Sequence, residues 1–330
     1  MNDLHPNRAD ILPIQDENPR PLWSVMIPSY NSADDLRQTL TSVLDQDLGS
    51  DIMEIEVVDD CSTKDDPKSI VEELGRGRVG FYQQPQNLGL VGNFTTCVQR
   101  ARGHLIHILH SDDYVRDGFY RKMQKLFAEN PEIGAAFCRQ IKMNPQGHWQ
   151  TISPLEQPES GVLSNWLQQI AAGQRILTPS IVVRRSVYEN LGCFDRRMVC
   201  CGEDWEMWVR IAAHYAVAYE PEPLSVYRFK PIESLDSGRV YKIIQDMQMA
   251  TDIIQSYLPE YLDRSTTARL LNQAREKYAQ WPIDKMIEMF SQGEIITGLG
   301  LFQSSLKCHL SWKTIGIAIL KLAKYQLRHS

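Results

Sequence analysis

Short apolar runs alternate with segments of helical periodicity over the first part of the chain, and this alternation restricts its fold more than any other feature. The predicted strands lie at 23–27, 54–58, 79–83, 105–109 and 133–138, with an amphipathic helix in each interval. Strands that alternate with helices form a mostly parallel sheet covered by helices. We therefore predict an α/β fold with a Rossmann-like, doubly wound sheet that is mixed but mostly parallel.

The pattern changes twice beyond this first region. A polar loop around 144–160 precedes a second region of mixed helices and strands, and from Val240 onward the periodicity is helical to the end. We predict a flexible N-terminal arm at 1–21, a main domain at 22–238 with halves at 22–140 and 141–238, and a helical C-terminal region at 239–330.

Charge and cysteine content exclude several classes of protein. The formal net charge of −6 argues against a protein whose affinity comes from neutralising nucleic-acid phosphates, which would need a basic face. The seven cysteines are scattered without a CxxC pair, so neither a disulfide framework nor a zinc site is predicted. There is no signal-peptide pattern, and no apolar run reaches the roughly 20 residues that span a bilayer. We expect a cytoplasmic protein.

The end of the chain is amphipathic over 312–328. Helical spacing places Ile315, Ile319 and Leu322 on one face and a set of basic residues on the other. The basic residues are Lys313, Lys321, Lys324 and Arg328. Two interpretations stay open: packing against the rest of the chain, and peripheral contact with the anionic inner face of a membrane.

Two acidic pairs, Asp59-Asp60 and Asp112-Asp113, follow predicted strands. Doubly wound sheets bind ligands beyond the carboxyl ends of their strands, where these pairs and Ser29-Tyr30 are expected to lie. Carboxylates suit a divalent cation whose coordination sphere a diphosphate completes. Asp113, with Asp112, is our candidate metal site, and Asp59-Asp60 is a candidate for binding a nucleotide. Taken alone, an Asp-Asp pair more often forms a turn or a helix cap.

Two further motifs also have both a functional and a structural interpretation. Glu203-Asp204 opens a helix with an apolar stripe, so Asp204 is a candidate general base, although acids in a first turn also complement the helix dipole. Asn87-Leu88-Gly89 has two interpretations: the glycine, which has no side chain, lets the backbone approach a ligand closely, or the three residues simply form a turn.

Three patterns are rejected as sites. The GxGxxG match at 75–80 follows a predicted helix and opens a strand, the reverse of the dinucleotide-binding context. Cys200-Cys201 has no partner ligands at metal spacing. His104, His107 and His110 alternate faces on a strand and so cannot surround one metal; a structural role is predicted for them.

Taken in order, the motifs resemble those of the family 2 glycosyltransferases over about 22–230. They are SVMIPSYN from Ser24, EVVDDCST from Glu56, NLG from Asn87, SDD from Ser111 and EDWEMW from Glu203. The resemblance implies a nucleotide-diphospho-sugar transferase fold of the GT-A type, with 22–140 on the nucleotide-sugar side and 141–238 on the acceptor side.

The resemblance also implies roles for individual residues. Asp204 is implied as the catalytic base, Asp60 as a contact to the nucleotide base, and Asp113 with Asp112 as the metal and diphosphate site. The residues implied at the nucleotide are Pro28, Ser29, Tyr30, Asn31, Asp59, Asp60, Asn87, Gly89 and Asp112, and those on the acceptor or diphosphate side are Glu203, Trp205, Arg228 and Lys230. The histidine often found after the family's late strand is absent, so the third protein ligand stays open.

The predicted function is inverting transfer of a sugar from a nucleotide diphosphate, expected to be a UDP-sugar, with Mn²⁺ or Mg²⁺ as cofactor. The expected acceptor is a hydroxyl of a glycan or a lipid-linked molecule in polysaccharide, glycolipid or cell-envelope synthesis. Two other classes stay open: a non-catalytic module that binds sugar nucleotides or glycans, and a phosphoryl-accepting, receiver-like domain, which the acidic strand end at 57–60 also resembles.

Overall fold

The computed structural model describes residues 6–15, 19–229 and 236–329, and Lys230 lies outside them. The side chains of residues 313 and 324–329 are also outside the description. The chain divides into two compact units. The sheet unit comprises Met1–Trp166, Arg175–Arg196 and Arg210–Phe229, and the helical unit comprises Leu167–Gln174, Arg197–Val209 and Lys230–Ser330. The division into an arm, a main domain and a C-terminal region stays a prediction.

One mixed sheet organises the sheet unit. Its strands follow the order β3-β2-β1-β4-β9-β6-β10-β5, with β7 paired to β6 and β8 paired to β10. Strands β1, β2, β3 and β4 pair in parallel, as do β6 and β10, whereas β9 pairs antiparallel to β4 and β6. The strand bounds are β1 Trp23–Ser29, β2 Met53–Asp59, β3 Gly80–Gln83, β4 Leu105–Ile108, β5 Tyr114–Val115, β6 Ile133–Met143, β7 Trp149–Ile152, β8 Gly161–Val162, β9 Ile181–Arg184 and β10 Ala216–Arg228.

Helices connect the strands and make up the end of the chain. Their bounds are α1 Ala33–Leu44, α2 Pro67–Gly75, α3 Gly89–Arg100, α4 Phe119–Glu129, α5 Trp166–Ala171, α6 Arg185–Leu191, α7 Glu203–His214, α8 Ser237–Tyr257, α9 Arg264–Tyr278, α10 Trp281–Ser291, α11 Ile295–Cys308 and α12 Trp312–His329. None of the described helices is both long and apolar enough to cross a membrane.

The sheet core forms because alternate residues of each strand point to the same face. Trp23, Val25 and Ile27 of β1 are buried in one cluster with residues of α1, α2 and α4. Helix α3 contacts β1 and β2 but contributes nothing to this cluster, so it covers the opposite face. The backbone at Gly103 packs directly against β1, and only glycine fits there, because a Cβ at this position would lie 2.4 Å from the Trp23 carbonyl carbon.

The predicted α/β fold with a helical C-terminal region is confirmed, and the differences are local. The predicted polar loop contains β7, because β6 runs on to Met143 and gives it a hydrogen-bonding edge. In the predicted second region, the first helix begins at Trp166, and a 3₁₀ turn at Thr178–Ser180 leads into β9. Ser32 occupies the N-cap of α1 but makes no capping bond with its side chain.

Part of the predicted flexible arm is packed on the sheet unit. Ala9 and Ile11 are buried, and the Cys193 backbone N–H donates to the Ala9 carbonyl over 2.9 Å. Arg8 forms a bridge with Asp195. Burial of two apolar side chains, which the polar composition of the segment concealed, accounts for this docking.

The helical unit has a core of its own. Val240, Ile244, Ile283, Met286 and Leu301 are among its buried residues, which come from α8, α10 and α11, with Ala318 from α12. Asp236 caps α8 by accepting a hydrogen bond from the Arg239 backbone N–H.

Candidate active site

The loops that follow β1, β2 and β4 lie side by side in the sheet unit. The Asp60 backbone N–H donates to the Ser29 carbonyl over 2.8 Å, and the Ser111 backbone N–H donates to the Pro28 carbonyl over 3.2 Å. Because the three strands are parallel neighbours, their carboxyl ends meet at one edge of the sheet. The structure thus brings the SVMIPSYN, EVVDDCST and SDD motifs together.

The Asp59 carboxylate organises the loop after β2. It is fully buried and accepts hydrogen bonds from the Ser62 backbone N–H and hydroxyl and from the Gln83 amide, over 2.5 to 3.1 Å. These contacts satisfy both carboxylate oxygens within the protein. They leave Asp59 a loop-forming role, and its contact with a nucleotide stays a prediction.

Asp60 joins the loop after β2 to the start of α3. Its two carboxylate oxygens accept from the backbone N–H groups of Leu88 and Gly89 over 2.7 and 2.9 Å, and the Asn87 amide donates to the Asp60 carbonyl over 3.1 Å. Burial raises the pKa of Asp60, opposed by the two N–H donors, and the nearby Asp59 raises it further. The backbone of Gly89 has a φ of +72°, a conformation that glycine adopts with little strain.

Tyr30 and Asn31 shape the loop after β1. The Asn31 side-chain oxygen accepts from the backbone N–H groups of Thr63 and Lys64, each over 2.9 Å, which ties this loop to the one after β2. Tyr30 is 49% exposed beside it, and Ser29 is buried with its hydroxyl 3.3 Å from that of Ser32. An exposed aromatic ring on a tethered loop is available to stack on a ligand.

Three side chains that can bind a cation gather after β4. One potential ligand atom from each of His110, Asp112 and Asp113 lies within 4.8 Å of the other two. The His110 Nδ1 is 3.1 Å from a carboxylate oxygen of Asp113, and its ring stacks on Phe94 with centroids 5.3 Å apart. Two carboxylates and an imidazole offer hard oxygen donors with one nitrogen, which fits a divalent ion such as Mn²⁺.

The two aspartates of this cluster have different surroundings. Asp113 is buried, and its second carboxylate oxygen accepts from the Arg228 backbone N–H over 2.8 Å. Burial raises the pKa of Asp113 to about 6, against hydrogen bonding to His110, and the neighbouring Asp112 adds to the rise. Asp112 is only half-buried. Asp112 is therefore the carboxylate more open to a ligand.

Arg228 closes the cluster from β10. Its side chain donates to the Asp112 carbonyl over 3.1 Å and to Gln38 over 2.9 Å, and it pairs with Asp35 at 3.2 Å. The guanidinium is thus tied between the acid cluster and α1. Its predicted contact with a diphosphate stays a prediction.

The predicted base lies in the helical unit. One Asp204 carboxylate oxygen accepts from the Trp205 backbone N–H over 2.7 Å, and the other accepts from the Gln174 side-chain amide over 2.6 Å. Gln174 is itself held by α9, because its backbone N–H donates to the Tyr278 hydroxyl over 2.7 Å. The carbonyl oxygen of the Gln174 side chain is buried and has no hydrogen-bond partner among the described residues.

Trp205 anchors the start of α7 in this unit. The side chain is fully buried, its indole N–H donates to the Ile170 carbonyl over 2.7 Å, and its ring meets Tyr278 edge to face. Trp205 thus packs inside the helical unit, and its assignment to the acceptor side stays a prediction. Glu203, also assigned to that side, is buried as well.

The turn before Glu203 is held by Asp246 of α8. One Asp246 carboxylate oxygen accepts from the backbone N–H groups of Val199, Cys200 and Cys201 over 2.8 to 3.4 Å. The two thiols and this carboxylate are close enough to share an ion. The three N–H donors already occupy the oxygen that lies 3.2 Å from the Cys200 thiol, and the Cys201 thiol donates to the Ile243 carbonyl, so Asp246 acts as a cap for the turn.

The comparisons with known proteins bear on this site. The sequence model of glycosyl transferase family 2 matches residues 24–191, which include the loops after β1, β2 and β4. The chain belongs to this family. Glycosyl transfer is the activity that defines it, and the acid cluster after β4 falls within the matched region.

The chain is also similar to individual proteins of known sequence. An uncharacterized protein of Mycobacterium tuberculosis is 29% identical over 229 residues, 63% of this chain and 67% of that protein. The O-antigen biosynthesis protein RfbC of Myxococcus xanthus is 26% identical over 216 residues. That match covers 58% of this chain but only 16% of the relative's length.

Solved structures confirm a GT-A fold. S. aureus TarS (residues 1–349) aligns with a TM-score of 0.59 at 15% identity, over 86% of this chain and 91% of that one. It has also been solved with UDP and with UDP-GlcNAc. The mannosyltransferase PcManGT of Pyrobaculum calidifontis, in complex with GDP-Man and Mn²⁺, aligns with a TM-score of 0.57 at 16% identity, over 97% and 85% of the two chains.

Family membership leaves the receiver-like alternative without support, and the site agrees. A receiver aspartate must be open to a phosphodonor, whereas Asp59 and Asp60 are both buried and accept hydrogen bonds from neighbouring loops.

The sequence did not reveal two members of these clusters. His110 lies two residues beyond the end of β4, where strand alternation no longer applies, so it turns to Asp113. Gln174 precedes Asp204 by thirty positions and shares no motif with it. Only the position of His110 two residues before an acidic pair was available as a signal.

Proposed function

We propose that this chain is an inverting, metal-dependent glycosyltransferase that moves a sugar from a UDP-sugar to a hydroxyl of a glycan or lipid-linked acceptor. The observation that carries the proposal is the cluster of His110, Asp112 and Asp113 at the carboxyl end of β4, beside the loops after β1 and β2. The complexes of TarS with UDP and UDP-GlcNAc, and of the mannosyltransferase with GDP-Man and Mn²⁺, support a nucleotide-sugar donor.

The donor-binding residues belong to the sheet unit. The nucleotide lies against the loops at 28–31, 59–60 and 87–89, and Asp112 and Asp113, joined by His110, hold a Mn²⁺ or Mg²⁺ ion. When bound, the ion neutralises negative charge on the diphosphate. Arg228 and Lys230 supply further positive charge to the diphosphate side.

Asp204 acts as the general base. It takes the proton of the acceptor hydroxyl while the hydroxyl oxygen bonds to the anomeric carbon, the bond from that carbon to the diphosphate breaks, and the nucleoside diphosphate leaves. A single displacement of this kind inverts the anomeric configuration. A helix N-terminus favours the ionised carboxylate and so weakens it as a base, which puts more of the catalysis on stabilisation of the leaving group.

The biological role proposed is synthesis of a cell-envelope polysaccharide or glycolipid. A relative named for O-antigen biosynthesis supports this choice. The rival class, a module that binds sugar nucleotides without catalysis, accounts for the acid cluster but does not require a carboxylate at Asp204.

The test is nucleotide release from a panel of UDP-, GDP- and dTDP-sugars with Mn²⁺, using polysaccharide and lipid extracts as acceptor sources. We expect release from a UDP-sugar, loss of at least a thousandfold in Asp204→Asn, and unchanged nucleotide binding by that variant. Wild-type turnover in Asp204→Asn would remove the base assignment. Nucleotide binding without any release from the wild-type protein would favour the non-catalytic module.

A further inference from the structure

The end of the helical unit exposes large apolar side chains on two helices. Ile295, Ile296 and Leu299 are exposed on α11, and Trp312, Ile319 and Leu320 are exposed on α12. We call these six residues the C-terminal apolar surface. Ile296 and Trp312, at 89% and 88%, are the most exposed of the large apolar side chains among the described residues.

These side chains are directed away from the core of the helical unit. On α12, Thr314 and Ala318 are buried one turn apart, whereas Trp312 and Ile319 stand two turns apart on another side of the helix. On α11, Gly298, Leu301 and Ser305 are buried instead. Each helix therefore uses one face for packing and leaves a second apolar face uncovered. The packing face of α12 differs from the division predicted from the sequence, since Ile319 is exposed.

The charge of this segment identifies what covers it. Residues 295–330 contain five lysines or arginines and no aspartate or glutamate, within a chain whose formal net charge is −6. Lys307 is exposed three turns after Ile296, on the same side of α11. Two acids outside the segment offset part of its positive charge, since Lys321 pairs with Asp284 and Glu294 directly precedes α11. The net positive charge of the segment is therefore moderate.

Apolar side chains flanked by basic residues, with a tryptophan among them, are the pattern of a helix that lies in the interface of an anionic bilayer. A protein partner of ordinary surface composition would not require the absence of acids over so long a segment. We propose that the C-terminal apolar surface binds an anionic lipid membrane, with Ile296, Leu299, Trp312 and Ile319 inserted at the headgroup level.

The proposal does not rest on the transfer reaction. If it holds, it places the helical unit at a lipid surface, where a lipid-linked acceptor would be reached by diffusion in two dimensions.

The test is flotation of the full chain with vesicles of 70% phosphatidylcholine and 30% phosphatidylglycerol, compared with vesicles of phosphatidylcholine alone. We expect the wild-type protein to float with the anionic vesicles, to float poorly with the neutral ones, and to be released by 1 M salt. The double variant Ile296→Ser/Trp312→Ser should lose at least tenfold in affinity, and Lys307→Glu should weaken binding to the anionic vesicles alone.

Trp149→Ser is the matched control, because Trp149 is 53% exposed in the sheet unit and has no part in the surface. It should float like the wild type. Thermal melts of the variants establish that each is folded, as expected for changes at exposed positions. Equal flotation with both kinds of vesicle, or full flotation of the double variant, would overturn the proposal.

A second copy of the chain is the other occupant that an apolar face can take. Analytical ultracentrifugation decides this. A wild-type dimer that the double variant converts to a monomer, with no flotation of either protein, would replace the membrane by a homodimer interface.

Discussion

Replacing Gln174 tests how the proposed base is held. The Gln174 amide donates to the Asp204 carboxylate over 2.6 Å, a short, charge-assisted hydrogen bond. Such a bond favours the ionised carboxylate, so its removal in Gln174→Ala raises the pKa of Asp204. Bonds to charged groups contribute about 1.5 to 3 kcal/mol, and water replaces part of this at a half-buried position. A loss of about 1.4 kcal/mol corresponds to a rise of about one pKa unit.

The assay is the pH dependence of kcat/KM for nucleotide release between pH 3 and 8.5, a range that begins below the ordinary pKa of an aspartate. The acid limb reports the ionisation of the base in the free enzyme and should move up by about one unit in Gln174→Ala, with kcat at high pH largely retained. A merely structural defect would lower activity at every pH without moving the limb.

Lys277→Met supplies the matched control. The Lys277 amine donates to the backbone carbonyl of Gln174 over 3.3 Å, so this change loosens the same residue and leaves its side-chain amide on Asp204. Its acid limb should stay at the wild-type pH. An unmoved limb in Gln174→Ala, or an equal shift in both variants, would refute the reasoning.

Three further predictions concern stability and the metal. Gly103→Ala should lower the free energy of unfolding by about 2 kcal/mol or more in urea melts, because the added Cβ would lie 2.4 and 2.5 Å from backbone atoms of Trp23 and Ser24. Gly316→Ala is the control. Because there is open space around Gly316, this change should be neutral or stabilising. Burial lowers the pKa of His107 to about 4, so between about pH 6.5 and 4 the unfolded chain binds more protons than the folded one. The free energy of unfolding should therefore fall by about 3 kcal/mol as the pH falls through that window. In His107→Gln this pH dependence should be weaker. His110→Ala should weaken Mn²⁺-dependent nucleotide binding about tenfold, and His104→Ala should not; equal binding by the two variants would exclude His110 from the metal site.

The fold was largely predictable because its strands and helices have strong, local periodicity. Apolar strands such as β1 and amphipathic helices such as α1 bury one face regardless of distant contacts. β7 escaped prediction because its four residues are all exposed and owe their conformation to pairing with β6. Its stability comes from a neighbour that the local pattern does not contain.

The site was predictable where a motif follows a strand and was hidden where the contact is distant in sequence. Asp60 and Asp112 could be placed at the sheet edge from the strand pattern alone. The burial of Trp205 and the bond from Gln174 to Asp204 depend on packing of 167–174 with the start of α7, which no spacing rule encodes.

The central hypothesis is that the acid cluster after β4 binds a metal ion and the diphosphate of the donor. Isothermal titration of UDP into the wild-type protein and into Asp113→Asn, with and without Mn²⁺, measures this directly. We predict that Mn²⁺ strengthens UDP binding by at least tenfold in the wild type and has little effect in the variant. If GDP or dTDP responds to Mn²⁺ in place of UDP, the site stands and the choice of nucleotide is wrong. Nucleotide binding that is unaffected by Mn²⁺ in the wild type, or enhanced equally in Asp113→Asn, would contradict the account.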